Sequence, residues 1–177
     1  MATDQEIRTA LARARKAIEL RPSLGQGSMK TRLRLEDGVK CVSHNEGWRF
    51  ELDEPTAVGG EGTAPSPGVY GLSALAGCVA MSVKMIAVQA GLGVDGVNVE
   101  VEADYDDRGM FGIDGFAPGF KEFRVKIDVD TSAPAAKVRE ITNQALGISG
   151  WFHVFSHAQR ITTNVSVHSQ AADGAES

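Results

Sequence analysis

The 177-residue chain is poor in cysteine and in aromatic residues. It has two cysteines, and 6% of its residues are Phe, Trp or Tyr. Two cysteines are too few for a disulfide framework, so we expect free thiols in a reducing setting. The N-terminal sequence also lacks the apolar segment and small-residue cleavage site of a secretory signal. The sequence therefore predicts a cytoplasmic protein.

The chain also lacks an excess of positive charge. Its formal net charge is −5 at pH 7, whereas a protein that binds nucleic acid presents a basic surface to the phosphates. It has no long apolar run free of charge either, because Lys84 interrupts the longest candidate for a membrane span. We therefore expect neither nucleic acid nor a membrane among its partners.

Hydrophobic residues make up 42% of the chain, which is enough for the core of one domain. Residues 1–28 combine an apolar stripe at helical spacing with a linker that follows Arg21-Pro22. Residues 29–168 carry the patterns of a folded domain. The polar residues 169–177 are expected to be a disordered tail.

The domain mixes short alternating runs with helical stretches, which predicts an α+β fold. Turn signals at Asp37-Gly38 and Glu46-Gly47 separate the first three runs, which indicates a β-meander. The segment 150–157 is expected to be irregular. Strands are predicted near 29–35, 39–44, 47–53, 97–106, 121–130 and 160–168, and helices over 67–90 and 132–149, the latter capped by Ser132.

The predicted helix over 67–90 is apolar on most faces, so it is central and buried or packs against a second copy of itself. It carries Cys78 among alanines and glycines. Such a cysteine is either a small buried residue or a nucleophile, and a nucleophilic thiol needs a lowered pKa. The helix dipole alone does not lower the pKa enough, because Cys78 lies about three turns from the helix start.

The stretch DEPTAVGGEGTAPSPGVYGLSALAGCVAMSVKM resembles the OsmC/Ohr family of osmotically inducible and organic hydroperoxide resistance proteins. The resemblance rests on Asp53-Glu54-Pro55, Gly59-Gly60, the APSP of residues 64–67 and the small-residue helix with Cys78. It continues through GLGVDGVNVEVEADYDDRGMFG and PGFKEFRVKIDVD. It implies an OsmC-like fold, with antiparallel sheets wrapped around central helices in an intertwined homodimer.

The family also implies a thiol chemistry. In catalytic members one cysteine attacks the peroxide, a second cysteine resolves the sulfenic acid as a disulfide, and an arginine and a glutamate assist. The resemblance places the first cysteine at Cys78 and Ser149 at the position of the second. Gly68 and Val69 stand where the glutamate is usual. The candidate arginines, both in the predicted meander, are Arg34 and Arg49.

We therefore expect a homodimer that reduces organic hydroperoxides through Cys78, with a small thiol or dithiol as reductant and without a cofactor. Residues expected to form an apolar substrate pocket are Met81, Met110, Phe111, Phe116 and Trp151. The loop that contains the middle three lines such a cavity or covers the core. His153 and His157 have the spacing of metal ligands, but no third ligand follows, so no metal is expected.

An alternative from another class stays open. The same homodimer would hold a hydrophobic small molecule without catalysis, and Cys78 would be structural. The absence of the second cysteine and of the glutamate favours this alternative. Thiol reactivity separates the two, because an inert Cys78 points to binding and a reactive one to chemistry. Cys41, on a predicted strand, is expected to pack in the core.

Overall fold

The computed structural model describes residues 1–35, 37–45 and 47–167, and the predicted tail at 169–177 lies outside them. Helices and strands are mixed in these residues, so the predicted α+β class is confirmed. In chain order the elements are α1 (Asp4–Leu20), β1 (Arg32–Arg34), β2 (Cys41–Asn45), β3 (Trp48–Leu52), α2 (Pro67–Gln89), β4 (Gly96–Tyr105), α3 (Asp107–Met110), β5 (Phe120–Asp130), α4 (Ala135–Ile148) and α5 (Gly150–Ser156).

The strands form two antiparallel sheets. One is the predicted meander β1-β2-β3, and the other is the long hairpin of β4 and β5. The meander turns contain Gly38 and Gly47 with φ of 67° and 86°, a conformation that glycine adopts without steric cost. In the hairpin, apolar pairs such as Val99 opposite Ile127 share one face of the sheet. Charged pairs such as Glu100 opposite Lys126 occupy the other face.

The helix α2 is the element on which most of the others pack, since α1, α4, α5 and β4 all contact it. Four of its fully buried residues, Leu75, Val79, Val83 and Ala87, recur every four positions and form one face. Ala87 belongs to a core cluster with Ile141 of α4. The prediction of a central helix that starts near Pro67 is confirmed.

By length and composition alone, α2 would also be able to cross a membrane. The core helix of a soluble protein meets the same test, so this property does not distinguish the two. The one charged residue of α2, Lys84, donates to the Val94 carbonyl oxygen at 2.8 Å and pairs with Asp4 of α1 at 2.8 Å. The ammonium group is thus partnered by the protein itself.

The predicted N-terminal helix is confirmed as α1, which begins with a capping box between Thr3 and Glu6. None of its residues is fully buried. Besides the ion pair with Lys84, α1 is held to α2 by the Arg8 Nε, which donates to the Val88 carbonyl oxygen at 2.9 Å. The helix is therefore a peripheral addition to the domain.

The strand predicted at 160–168 is wrong for its described part. Residues 160–167 belong to no sheet, and Ile161, Val165 and Val167 are each more than 80% exposed. An alternating sequence forms a strand only where a neighbouring strand pairs with its backbone groups. Within residues 1–35, 37–45 and 47–167 no strand pairs with this segment.

Two predictions near α4 are also wrong. The segment 150–157 is not irregular: it forms α5, because the Ser149 side chain accepts the Phe152 N–H and caps the first turn. Ser132 does not cap α4, which starts at Ala135 with Pro134 at the N-cap position. Ser132 lies in a turn in which the Thr131 hydroxyl accepts the Ala133 N–H, so the helix begins later.

Candidate functional site

Cys78 lies in α2 at the place where the junction of α4 and α5 packs against that helix. It is half-buried and is a free thiol in this chain. The Ser149 hydroxyl donates a hydrogen bond to the Cys78 Sγ at 3.2 Å. The residue that the sequence assigned to the second cysteine position is therefore in direct contact with the candidate reactive cysteine.

The surroundings of Cys78 lower its thiol pKa below the ordinary value. Burial acts in the opposite direction and raises the pKa, because it disfavours the charged thiolate. Hydrogen bonds to the sulfur outweigh burial; they come from the Ser149 hydroxyl, the Trp151 and Gly150 backbone N–H groups and the Ser82 hydroxyl. The site therefore holds a thiol with an increased thiolate fraction.

Helix geometry explains why these donors are available. The first N–H groups of a helix have no partner within it, and α5 begins at Gly150 beside Cys78. Ser149, which is 1% exposed, joins the two helices and acts on both sides, since its hydroxyl donates to Cys78 and accepts from Phe152 at 3.4 Å. The sequence signal for these donors is Ser149, a helix-capping residue directly before Gly150. The prediction that residues 150–157 are irregular did not use this signal.

The two candidate arginines lie on the meander. Arg34 is an exposed residue of β1 opposite Val42. Arg49 of β3 is exposed, and its guanidinium donates to Glu51 at 2.7 Å. Burial has the largest influence on the Cys78 pKa and raises it, and the groups that lower it are hydroxyl and backbone N–H groups.

The other cysteine lies on the meander as well. Cys41 is a half-buried residue of β2, opposite Leu52, and it is a free thiol. Its position on a strand agrees with the expected packing role.

A row of aromatic rings extends from α5 along the β4–β5 hairpin. Trp151 and Phe155 have ring centroids 6.1 Å apart, and Phe155 meets Phe123 edge to face at 5.0 Å. Phe123 and Phe120 are 5.2 Å apart, and Phe120 is 6.4 Å from Tyr105. Of these five residues the sequence singled out Trp151 as a substrate contact. The Trp151 backbone N–H is one of the groups that lower the Cys78 pKa, so the row begins at a residue whose backbone lies near the thiol.

The residues predicted to bind substrate do not all lie together in this chain. Met81 lines a cavity of ≈ 310 Å³ between α2 and β4, and none of the other four lines it. Met110 and Phe111 are 59% and 62% exposed in the β4–β5 loop. Phe116 of the same loop lies under the Arg108 guanidinium, 3.6 Å from the ring centroid. This loop therefore does not cover the core of its own chain.

The loop before α2 is organised by Asp53. Its buried carboxylate accepts the N–H groups of Glu54, Glu61 and Thr63 and the Thr63 hydroxyl, at 2.8–3.3 Å. The Thr63 N–H contributes most to lowering the Asp53 pKa. A Cβ at Gly60 would lie 1.8 Å from the Glu54 carbonyl oxygen, so only glycine fits there. The residues that carried the resemblance thus shape the entry to α2.

His153 of α5 and His157, which follows the end of that helix, stack on each other with ring centroids 4.3 Å apart. Among the described residues no group of three or more His, Cys, Asp or Glu side chains is arranged to hold a metal ion.

The family model described as OsmC-like protein matches residues 60–164. The chain belongs to the OsmC-like family. The matched region contains both Cys78 and Ser149, and it includes α2, the hairpin, α4 and α5. OsmC-like proteins are typically soluble, and this chain has the small fold of such proteins. A comparison with curated proteins found no match.

Solved structures share the OsmC-like fold. An OsmC-like protein from Mycoplasma pneumoniae superposes with a TM-score of 0.64 at 13% identity, over 74% of this chain and 89% of that one. A putative organic hydroperoxide resistance protein from Vibrio cholerae, with captopril bound in one of its active sites, gives 0.52 at 19% identity over 72% and 84%. An organic hydroperoxide resistance protein OsmC from Legionella pneumophila gives 0.50 at 14% over 73% and 89%. At these identities the likeness concerns the fold.

Proposed function

We propose that this OsmC-like protein reduces organic hydroperoxides through Cys78. The observation that carries the proposal is the set of donors on the Cys78 sulfur, above all the Ser149 hydroxyl at 3.2 Å. Such donors stabilise the thiolate, which is the nucleophilic form. Membership of the OsmC-like family supports a peroxide-related role. The proteins of similar fold named for organic hydroperoxide resistance agree with it.

The first step is a displacement at oxygen. The Cys78 thiolate attacks the terminal oxygen of the hydroperoxide, an S–O bond forms and the O–O bond breaks. The alkoxide leaves and takes up a proton to become an alcohol, while Cys78 becomes a sulfenic acid. The aromatic row that begins at Trp151, close in the chain to the Ser149 donor, offers an apolar surface, which favours an organic substrate over hydrogen peroxide.

The second step requires a reductant from outside the chain. The side chain that hydrogen-bonds to the Cys78 sulfur is a serine, and a hydroxyl does not form a disulfide. A small dithiol therefore attacks the sulfenic acid, water leaves, and a mixed disulfide forms. The second thiol of the reductant then releases the Cys78 thiol and leaves as a cyclic disulfide. This is a one-cysteine cycle.

We propose further that the active form is a homodimer. The chain has an accessible surface of 13,684 Å², whereas a compact monomer of its mass, 18.8 kDa, exposes about 8,300 Å². Obligate homodimers bury about 2,000–5,000 Å² in total over both subunits. The extra surface of one chain, about 5,400 Å², exceeds the share that one subunit contributes to such an interface, so it has room for one.

Several apolar residues of α2 are exposed in one chain. Met81 and Met85 are four residues apart on one side of the helix and are 63% and 37% exposed, and Val69 near the helix start is 52% exposed. The two-stranded β4–β5 sheet is marginal by itself. The extended segment 160–167 alternates apolar and polar residues as a strand does. A second chain that pairs strands with the β4–β5 sheet and with segment 160–167 would complete both. Light scattering would then give twice the mass of one chain.

Peroxide turnover tests the proposed reaction. With cumene hydroperoxide and dithiothreitol, we expect the wild type and the Cys41→Ser variant to consume peroxide at similar rates. Cys78→Ser should consume none above background, although its circular dichroism should be unchanged. Consumption that persists in Cys78→Ser would overturn the assignment.

The binding alternative makes a different prediction for the same protein. If Cys78 is structural, the wild type shows no turnover, and its thiol reacts with iodoacetamide no faster than free cysteine at neutral pH. The lowered pKa of Cys78 favours the enzyme over this alternative.

A further inference from the structure

The short helix α5 contacts α2 at two points. At its start, the Ser149 cap hydrogen-bonds to Cys78. Near its end, the Phe155 Cζ lies 3.8 Å from the position of a Cβ on Gly71. Gly71 and Cys78 are seven residues apart and therefore lie on the same face of α2. Their separation of about 10.5 Å matches the length of α5 between the two contacts, about 9 Å, so the helices run antiparallel.

A helix of seven residues is not stable by itself, so its position depends on tertiary contacts. The half-buried ring of Phe155 supplies several of them. It meets Phe123 of β5 edge to face at 5.0 Å with an interplanar angle of 83°, contacts Trp151 at 6.1 Å and abuts α2 at Gly71. One side chain thus connects α5 to both the sheet and the central helix.

We infer that Phe155 is a positioning residue that fixes α5 against α2, so that the Ser149 hydroxyl stays within hydrogen-bonding distance of the Cys78 sulfur. Phe155 acts through the helix, since a shift of α5 by a fraction of an ångström would lengthen the Ser149–Cys78 hydrogen bond, which is 3.2 Å. This deepens the proposed function, because it concerns the same thiol.

The test measures the rate at which iodoacetamide alkylates Cys78, from pH 5 to 10, in a Cys41→Ser background. We expect Phe155→Ala to raise the thiol pKa and so to slow alkylation at pH 7. Each tenfold loss of thiolate should slow the rate only about threefold, because the remaining thiolate is more basic and therefore more nucleophilic. At pH 10 the rate should not fall. A general loosening of the fold would instead raise the rate at every pH by exposing the sulfur.

Two substitutions serve as controls. Val154→Ala, on the same helix at a 40% exposed side chain, should leave the profile unchanged. Gly71→Ala should do the same, because the added methyl would make an ordinary contact with Phe155.

An unchanged pH profile in a folded Phe155→Ala protein would overturn the inference. If that variant does not fold, Phe155→Leu decides, since leucine keeps the apolar volume and loses the edge-to-face contact. A smaller shift in the same direction is expected for it, and an unchanged profile would overturn the inference. Alkylation does not depend on peroxide turnover, so a failed peroxidase assay would leave this result readable.

Discussion

Replacing Ser149 by alanine removes the one side-chain donor that lies at 3.2 Å from the Cys78 sulfur. A hydrogen bond to a charged group contributes about 1.5–3 kcal/mol, and the lower end applies because Cys78 is only half-buried. A change of about 1.4 kcal/mol alters the thiolate fraction tenfold. The greater nucleophilicity of a more basic thiolate offsets part of the loss, so alkylation below the thiol pKa should slow by about three- to fourfold.

The assay is iodoacetamide alkylation across pH in the Cys41→Ser background. The Ser149→Ala profile should shift to higher pH and reach at least the wild-type rate at high pH. Since Ser149 also caps α5, the variant should lose about 1 kcal/mol of stability. Ser73→Ala is the matched control, because Ser73 is an exposed serine of α2. A Ser149→Ala protein with native circular dichroism and an unshifted profile would refute the claim that these donors activate the thiol.

Three further predictions concern the same region and the loop before α2. Ser149→Cys places a thiol beside Cys78, so one equivalent of hydroperoxide should produce a disulfide between Cys78 and the introduced thiol. Mass spectrometry would detect this disulfide, and two free thiols after oxidation would contradict the contact. Gly60→Ala should lower the free energy of unfolding in urea by about 1–3 kcal/mol, because the added methyl overlaps the Glu54 carbonyl oxygen. An unchanged unfolding midpoint would contradict this close approach of Gly60 to Glu54. Asp53→Asn should unfold at lower urea concentration at pH 7. The folded pKa of Asp53 is depressed, so its contribution is full above the unfolded pKa of about 3.9 and is lost as the pH falls through the folded value; the gap between variant and wild type should therefore narrow in acid.

Sequence periodicity was sufficient for the elements that depend on local signals. The helix α1 has its cap at Thr3, α2 has Pro67 in its first turn, and the meander turns contain Gly38 and Gly47. A side-chain cap, a proline in the first turn and glycines at positive φ act on the backbone next to them, so these element boundaries follow from the local sequence. The position of Cys78 in a central helix also follows from the sequence, since α2 is apolar on most faces.

The donors on Cys78 did not follow from the sequence. The helix α5 has seven residues, too few for a periodic signal, and it exists because Ser149 caps it and Phe155 packs against Phe123. From the sequence, a serine at the second cysteine position indicates the loss of the resolving thiol. In the structure, the hydroxyl of this serine donates a hydrogen bond to Cys78.

The segment 160–167 shows a different limit. Its alternation predicts a strand, but pairing depends on a partner that sequence patterns do not identify. Met81 and Met110 are likewise apolar and exposed in one chain, and sequence patterns do not show what would cover them. Both observations agree with the proposed homodimer.

The reaction of Cys78 with a hydroperoxide in a single turnover tests the central claim most directly. In the Cys41→Ser background, without reductant, cumene hydroperoxide should convert Cys78 to a sulfenic acid that dimedone traps. The rate at pH 7 should exceed that of free cysteine and that with hydrogen peroxide. A rate equal to that of free cysteine, or no sulfenic acid on Cys78, would contradict the account.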